Sequence, residues 1–535
     1  MLLTAVAVVR VVATYDVFNS TSDEPAHIST GMEWLERRTY TYEVEHPPLA
    51  RIAVALGPFL KGLRLPKPPR PPEFDNGAFI FDEGNQVLYA DGQYWQNLTL
   101  ARIGVLPFLI LLCAVTYFWS ARYFDYKVGA GAVFLLVCSP PVLGQAGIAT
   151  LDAACAATTC AALYCFVLWL EEPADGNTVL LGFATAVAVL TKFSSIAFLG
   201  ACYLAALVAF AYTGKIVLSR RIGSAAIAVL VAFVVLWAGY RFTLAPLSAT
   251  YGASPRIDEL LSRAPFLQSA WHTLLNIPIP LTEMLLGIRD LWRHNMIGHD
   301  SYLLGEYRNT GWWYFFPVVL AVKTPLGLLV LALAGSVLVL RRAVAVQWLT
   351  ALFPLIILCV SMTSRIDAGV RHILPIYPLL AILGGYAIAE AVTKNRALAA
   401  TAMLLAAWVA VDSWRAHPDY MAHFNELAGS HPERILTESD LDLGQDVHRL
   451  SQRLKELGAD HVSVALAGSA PLALAGLPPY RVMGRDEPAP GYIAVSLRYL
   501  NLGYAKNGAY AWLKPYQPIE RIGRSIDLYR VDQLP

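Results

Sequence analysis

Long apolar stretches alternate with polar segments over the first 412 residues of the chain. A helix needs roughly 20 mostly apolar residues to cross a bilayer, and about eleven stretches approach that length. They lie near 1–18, 100–120, 128–146, 152–170, 178–192, 195–213, 222–243, 313–340, 344–362, 372–392 and 397–412. The pattern therefore predicts a polytopic α-helical membrane protein with about 11 transmembrane helices.

The hydropathy falls after Asp412, and the spacing of apolar residues changes to that of a mixed helix and strand region. The predicted elements are one helix at 446–457 and strands at 461–466, 492–497 and 525–531. This organisation divides the chain into a transmembrane domain at 1–412 and a small α/β domain at 413–535.

Basic residues decide the predicted orientation, because cytoplasmic loops of membrane proteins carry an excess of Lys and Arg. With the N-terminus inside, the cytoplasmic connections hold Arg122, Lys127, Lys215, Arg220, Arg221, Arg341, Arg342, Lys394 and Arg396. The polar segments 19–99, 244–311, 363–371 and 413–535 then face the non-cytoplasmic side. The C-terminal domain is therefore predicted to be non-cytoplasmic.

The first polar segment, 19–99, has helical patterns of its own. Ile28, Met32 and Leu35 share one helical face, and a second apolar pattern runs from Pro48 to Leu63. Both patterns are typical of amphipathic helices that lie in the membrane interface. The proline-rich tract at 65–72 is interpreted as a stiff connector.

The amino-acid composition argues against several classes of function and of site. Hydrophobic residues make up 56% of the chain, charged residues only 15%, and the formal net charge is +1. Nothing here resembles the basic footprint of a nucleic-acid-binding protein. All seven cysteines lie in apolar stretches, which argues against a disulfide scaffold and against a zinc-thiolate site.

Acidic residues at the predicted membrane boundary are the first candidates for chemistry. Asp23 and Glu24 follow the first helix, and Asp152 begins the fourth at the same membrane level. A carboxylate there could act as a general base on an acceptor hydroxyl. The alternative is structural, since Asp23 and Asp152 could be helix N-caps and Glu24 a first-turn acid.

Cationic residues accumulate on the same side, where they could stabilise the negative charge of a phosphate leaving group. They are Arg51, Arg102, Lys192, Lys323, Arg365, Arg371 and His372. For Arg102 and Lys192 the alternative is that the side chains extend to the membrane interface. Lys323 is predicted to lie about three turns inside its helix, where a charge indicates function.

A metal site is the weakest of these hypotheses. Glu24 and His27 share one helical face, and His46 follows in the same segment. Such a set could bind a divalent ion, but a single His pair is little evidence for one.

These residues resemble a known family, the C-type membrane glycosyltransferases (GT-C) of family 39, which includes protein O-mannosyltransferases and bacterial aminoarabinose transferases. The similar segments are SDEPAH at 22–27, HPPLAR at 46–51, ATLD at 149–152 and LTKFS at 190–194, together with Arg102. In this family the acidic pair is the catalytic signature, so the resemblance implies that Asp23 is the base.

A closer resemblance is to the bacterial branch of phospholipid-carrier-dependent glycosyltransferases. It is carried by GHDSYLLG at 298–305, GWWYFFP at 311–317, KTP at 323–325, YMAHFNELAG at 420–429 and SDLDLGQD at 439–446. Leu443 departs from the pattern, which usually has Trp at this position. The resemblance supports Asp23, Glu24 and Asp152 as catalytic residues. Together with the cations described above, it gives a predicted substrate-binding set of His46, Arg51, Arg102, Lys192, His299, Lys323, Arg365, Arg371 and His372.

The implied reaction is inverting transfer of a sugar from a polyprenyl-phosphate donor, with no required cofactor and a divalent metal ion as an open option. The acceptor could be a protein, a lipid or a glycan, and the enzyme is expected in the inner (cytoplasmic) membrane. A transporter or flippase of lipid-linked sugars is the alternative, and it predicts inverted halves and interrupted helices. Neither is visible in the sequence. A scaffold that has lost its activity is a third interpretation.

Overall fold

The computed structural model describes residues 1–66, 78–212, 221–249, 262, 264–342 and 345–534. Its α-helices are Leu2–Val12, Glu24–Met32, Pro48–Lys61, Phe79–Tyr89, Tyr94–Ile103, Leu106–Tyr123, Tyr126–Val137, Pro140–Ala146, Asp152–Glu171, Asp175–Thr191, Ser194–Tyr212, Ile222–Gly239, Pro265–Leu275, Thr282–Ile297, Phe315–Lys323, Leu326–Leu340, Ala345–Ser361, Tyr377–Lys394, Arg396–Arg415, Glu438–Leu441, Val447–Glu456 and Tyr504–Asn507. A 3-10 helix, Val370–Ile376, precedes Tyr377.

The described helices confirm a multi-pass membrane protein. Six of them are long and apolar enough to cross a bilayer, or eight spans if each of two bent pairs counts as one. Three further apolar helices are shorter, namely Leu2–Val12, Asp175–Thr191 and Val346–Ser361. These eleven elements coincide with the predicted stretches, but the short ones fall below the length of a full span, so the count of eleven stays a prediction.

Two of the predicted spans are interrupted, contrary to the expectation from the sequence. Tyr126–Val137 and Pro140–Ala146 meet at 67°, and Phe315–Lys323 meets Leu326–Leu340 at 113°. Pro140 and Pro325 lie at these breaks. Proline cannot donate the hydrogen bond that continues a helix, which explains the two interruptions. Lys323 is thus the last residue of its helix, and the prediction that it lies inside a continuous helix is wrong.

The second break is stabilised by the chain that follows the last membrane helix. The Asn425 side-chain amide donates to the Ala321 and Thr324 carbonyls, both at 2.6 Å, and its main-chain N–H donates to the Val322 carbonyl. These carbonyls have lost their helical partners at the break, and each would be costly to bury without one. The sharp bend therefore depends on the YMAHFNELAG segment.

The first helix of segment 19–99 lies inside the protein. All nine residues of Glu24–Met32 are buried, so the prediction of an interfacial helix is corrected for this element. It packs so closely on its neighbours that a Cβ on Gly31 would lie 2.1 Å from the Arg51 carbonyl oxygen. Pro48–Lys61 does expose apolar residues, among them Leu56 and Leu60. The connector predicted at 65–72 lies largely outside the described residues.

The C-terminal region contains a five-stranded sheet. Its strand order is Tyr480–Val482, Val462–Ala465, Gly491–Ser496, Ile526–Val531 and Glu520–Ile522. The first three strands are parallel and the last two pair antiparallel. The sequence pattern does not predict the two edge strands, Tyr480–Val482 and Glu520–Ile522. Each strand has three residues and contains a charged one, so no alternation of apolar and polar residues is visible.

The boundary between the two cores lies later in the chain than the predicted position at 412. Tyr420, Ala428 and Leu436 belong to the same apolar core as the membrane helices. Leu450 and Leu454 begin the separate core of the sheet. Residues between these two groups therefore connect the membrane region to the C-terminal sheet.

The predicted orientation can be tested by cysteine labelling in a Cys359→Ser background, since Cys359 is the exposed cysteine of the described chain. A cysteine replacing Asp486, which is exposed in the C-terminal region, should react from outside with a membrane-impermeant maleimide. A cysteine replacing Gly176, whose Cβ would meet no other atom within 4 Å, should react only after permeabilisation. External labelling at Gly176 would reverse the topology.

Candidate active site

Asp23 lies at the N-cap position of the helix Glu24–Met32, but its side chain does not cap that helix. Its Oδ2 accepts a hydrogen bond from Arg371 Nη1 at 2.5 Å. The Asp23 side chain remains 30% exposed and that of Arg371 18%. The capping alternative is therefore excluded for the side chain, which instead forms an ion pair with an accessible edge.

The charge of Asp23 depends on its neighbours. Burial alone would raise the pKa of Asp23, but the Arg371 guanidinium beside it outweighs this effect and holds the pKa below its usual value. Asp23 is therefore ionised at neutral pH. A carboxylate stabilised in this way is also a weak base.

Glu24 has entirely different surroundings. It is fully buried and forms a two-point ion pair with Arg102, with Oε1 to Nε at 2.8 Å and Oε2 to Nη2 at 3.0 Å. The Thr21 and Ala149 main-chain N–H groups donate to the same carboxylate, each at 2.7 Å. With every acceptor direction engaged, Glu24 holds the site together rather than facing a substrate.

Arg102 completes this cluster from the other side. Its remaining N–H groups donate to the carbonyls of Tyr15, Phe18 and Asn19. The side chain is fully buried, so it neither extends to the interface nor faces an open site. Arg102 and Glu24 thus fix the turn before Asp23 and the loop before Asp152.

Asp152 and Lys192 form a second ion pair. Asp152 is the first residue of its helix, and the N-cap position belongs to Leu151, so the capping prediction is wrong by one residue. Asp152 Oδ1 accepts from Lys192 Nζ at 2.5 Å, and Lys192 is 14% exposed at the end of its own helix. Arg371 also interacts electrostatically with Asp152, which brings the two ion pairs into one cluster.

His46 and Arg51 both contact His27. The His27 and His46 rings are 5.8 Å apart, edge to face. Arg51 is buried, donates to His27 Nδ1 at 3.3 Å and pairs with Glu43. Burial, and then Arg51, hold the pKa of His27 well below its usual value, so its imidazole is neutral.

His372 and His299 complete the far side of the cluster. The His372 ring stacks on Phe316 and interacts electrostatically with Lys192, Arg371, His299 and His46. His299 Nε2 lies 3.5 Å from Glu438, which also pairs with Arg498.

Lys323 and Arg365 are predicted site residues that lie elsewhere. Lys323 is fully buried, and its ammonium donates to the Met421 and Asp440 carbonyls at 2.8 and 2.6 Å. Arg365 is exposed and donates to the Met296 carbonyl. Lys323 therefore stabilises the helix break, and Arg365 contacts the end of the helix Thr282–Ile297.

The SDLDLGQD segment at 439–446 joins the two sides of the Asp23–Arg371 pair. The Leu443 carbonyl accepts from the Ser22 main-chain N–H, and Asp440 Oδ1 accepts from the Val370 N–H, both at 2.9 Å. Ser439 donates to the Ala368 carbonyl. The segment therefore hydrogen-bonds to Ser22, which precedes Asp23, and to Val370, which precedes Arg371.

Sequence reasoning missed several residues of the cluster. Tyr40 and Glu43 bind Arg51, and Glu438 contacts His299. Tyr40 and Glu43 lie in an irregular segment, so no helical or strand pattern marked them. No sequence signal pointed to Glu438, which directly precedes the SDLDLGQD segment at 439–446. Among the described residues, no group of three or more His, Cys, Asp or Glu could hold a metal ion.

Comparison with known proteins identifies one matching family and several proteins of similar fold. The family described as dolichyl-phosphate-mannose-protein mannosyltransferase matches residues 96–238. ArnT from Cupriavidus metallidurans, solved with undecaprenyl phosphate, has 15% identity and a TM-score of 0.52, with 98% of this chain and 97% of that chain covered. The oligosaccharyltransferase from Archaeoglobus fulgidus, tethered to an acceptor peptide, has 10% identity and a TM-score of 0.51, with 96% and 72% covered. A search of curated proteins finds no match.

The resemblance to C-type membrane glycosyltransferases is thereby confirmed. The mannosyltransferase family model thus matches part of the chain, and ArnT and the archaeal oligosaccharyltransferase have a similar fold. The solved structures establish the fold at these low identities, and the family match lies within the membrane helices. Two helices are interrupted, as the transporter alternative predicts, but the matching family is one of mannosyltransferases.

The Glu24–Arg102 pair yields a stability prediction. Arg102→Ala leaves a buried carboxylate without its counter-charge, and such a loss costs about 3–5 kcal/mol. Denaturation of the purified protein in detergent should show a correspondingly lower free energy of unfolding. Arg122→Ala is the matched control, because the Arg122–Glu171 pair is exposed and contributes about 0–1 kcal/mol. Equal stability of the two variants would contradict the structural role of Arg102.

Proposed function

We propose that this glycosyltransferase moves a sugar from a polyprenyl-phosphate donor to an acceptor on the non-cytoplasmic face of the inner (cytoplasmic) membrane, with inversion at the anomeric carbon. The single observation that carries the proposal is the cluster of two ion pairs, Asp23–Arg371 and Asp152–Lys192, with both cations partly exposed. The fold shared with ArnT, which was solved with undecaprenyl phosphate, supports the choice of donor.

Arg371 and Lys192 are the cations proposed to receive the phosphate. Each keeps part of its side chain exposed, whereas Arg51, Arg102 and Lys323 are buried and already engaged by protein oxygens. Positive charge that is fixed in position before the reaction stabilises a leaving phosphate without reorganisation. His372 and His46 lie at the edge of the same cluster.

Asp23 is proposed as the general base. It takes the proton of the acceptor hydroxyl while that oxygen bonds to the anomeric carbon, and the bond from this carbon to the phosphate oxygen breaks, with its electrons remaining on the phosphate. A single displacement of this kind inverts the anomeric centre. Asp152 is proposed to orient Lys192, and Glu24 to position Asp23.

Donor binding is proposed to activate this base. Free Asp23 is a weak base because Arg371 stabilises its charged form. A phosphate that shares Arg371 reduces this stabilisation, so the pKa of Asp23 rises toward its ordinary value. The base thereby becomes effective only when a leaving group is present.

The remaining assignments rest on the same cluster. The transmembrane domain at 1–412 is proposed to bind the prenyl chain, with 413–535 as a non-cytoplasmic domain. The acceptor is a protein, a lipid or a glycan. No step requires a cofactor, and a divalent ion is not assigned a role.

The base assignment predicts a specific kinetic defect. Asp23→Asn keeps the shape of the side chain but removes its basicity, so the single-turnover rate should fall by about 10²–10⁴-fold, the usual contribution of a general base. Donor affinity, measured on the same protein in nanodiscs, should be retained. Asp16→Asn, at an exposed position seven residues earlier, is the matched control and should react normally. Normal turnover of Asp23→Asn with a dead Asp152→Asn would assign the base to the other carboxylate.

The cation assignment predicts a different pattern. Arg371→Ala should cost about 2–4 kcal/mol of transition-state stabilisation, the scale for one preorganised electrostatic contact. It should also weaken donor binding, which a titration with polyprenyl phosphate alone can measure. Arg341→Ala, an exposed cation on the predicted cytoplasmic side, should change neither quantity. Unchanged donor affinity and turnover in Arg371→Ala would remove this residue from the site.

A further inference from the structure

A cavity of about 400 Å³ opens between the first polar segment and the C-terminal region, away from the two ion pairs. The helices Phe79–Tyr89 and Tyr94–Ile103 form one side of it, and the start of Val447–Glu456 with the loop at 470–475 forms the other. The volume is within the range of small-molecule sites, roughly 300–1,000 Å³. Its position between two parts of the chain is also typical of ligand sites.

Aromatic rings dominate the wall of this cavity. Tyr89 and Tyr94 are stacked, with ring centroids 4.4 Å apart. Trp95 contacts Tyr94 and His448 edge to face, at 5.2 and 4.6 Å. Each ring restrains the next, so the wall offers a rigid apolar surface whose edges carry polar groups.

The polar groups of the cavity are uncharged. No Asp, Glu, Lys or Arg occurs among the described residues that line it, whereas Asn19, Gln93 and Gln96 contribute amides. Within the described chain, neither the Trp95 indole N–H nor the Gln96 side-chain amide takes part in a hydrogen bond. Burial lowers the pKa of His448, so its imidazole is neutral at neutral pH. These groups suit a neutral, hydroxyl-rich ligand and not a phosphate or a charged peptide.

The cavity is connected to the Asp23 segment by direct contacts. The Tyr94 hydroxyl accepts from the Ser20 main-chain N–H at 2.7 Å. Asn19 accepts from the His448 main-chain N–H and donates to the Gly444 carbonyl. The cavity wall and the four residues that lead to Asp23 therefore form one framework.

We propose that this cavity binds an uncharged saccharide portion of the acceptor. The proposal rests on the proposed glycosyl transfer, because it assigns the ligand to the acceptor. Rings of Tyr94 and Trp95 pack against the apolar face of a sugar, and the amides of Gln93 and Gln96 bind its hydroxyls. The donor phosphate binds at the charged cluster around Arg371 instead. The uncharged sugar and the charged phosphate therefore occupy different sites.

Binding can be measured without knowledge of the natural acceptor. Full-length protein in nanodiscs is titrated calorimetrically with methyl α-mannopyranoside, methyl β-glucopyranoside and N,N′-diacetylchitobiose. We expect at least one probe to bind, and Trp95→Ala to weaken that binding at least tenfold. Ala475→Trp fills the cavity without removing a contact and should weaken it similarly. Trp414→Ala, an exposed tryptophan on the last membrane helix, should leave it unchanged.

Two results would overturn the proposal. One is that no probe binds the wild-type protein. The other is that a bound probe is unaffected by both Trp95→Ala and Ala475→Trp, which would locate the sugar elsewhere. Asp23→Asn separates this proposal from the mechanism, because it should retain saccharide binding in full. Retained turnover in Asp23→Asn with saccharide binding that still depends on Trp95 would reject the base assignment and keep the cavity.

Discussion

The buried ion pair of Glu24 and Arg102 is the interaction on which the rest of the site depends. A charge without a partner in such surroundings costs several kcal/mol, so the two side chains have to meet when the protein folds. Around them, Arg102 binds the carbonyls that precede Asp23, and Glu24 binds the N–H that precedes Asp152. One ion pair thereby determines where the two other carboxylates emerge.

The three acidic residues differ because their partners differ. Glu24 is saturated by four donors, whereas Asp23 and Asp152 each keep one cation that is partly exposed. A phosphate can compete for Arg371 or Lys192, but not for a guanidinium enclosed by carbonyls. The same attraction that keeps Asp23 charged also weakens it as a base.

The C-terminal region contributes to this arrangement through hydrogen bonds to the main chain as well as through the charge of Glu438. Asp440, Asp442 and Asp446 are buried, and they accept from main-chain N–H groups at Val370, Gly444 and Arg524. These acids are therefore enclosed by main-chain donors and do not form a solvated surface. Their segment joins the loop before Asp23 to the loop before Arg371, so the sheet that follows stabilises a site in the membrane region.

Hydropathy and charge by themselves determined the membrane class, the positions of the apolar helices and the adjacent acidic pair, because lipid tolerates only long apolar helices and leaves a strong pattern. The resemblance of SDEPAH added the reaction class. Only the tertiary structure decided which acid is enclosed and which is partly exposed. Glu24 pairs with Arg102, 78 residues away, whereas Asp23 pairs with Arg371, 348 residues away. The helix break at Lys323 and the role of Glu438 depend on similar distant contacts. Such pairings follow from packing in three dimensions, which local sequence patterns do not record.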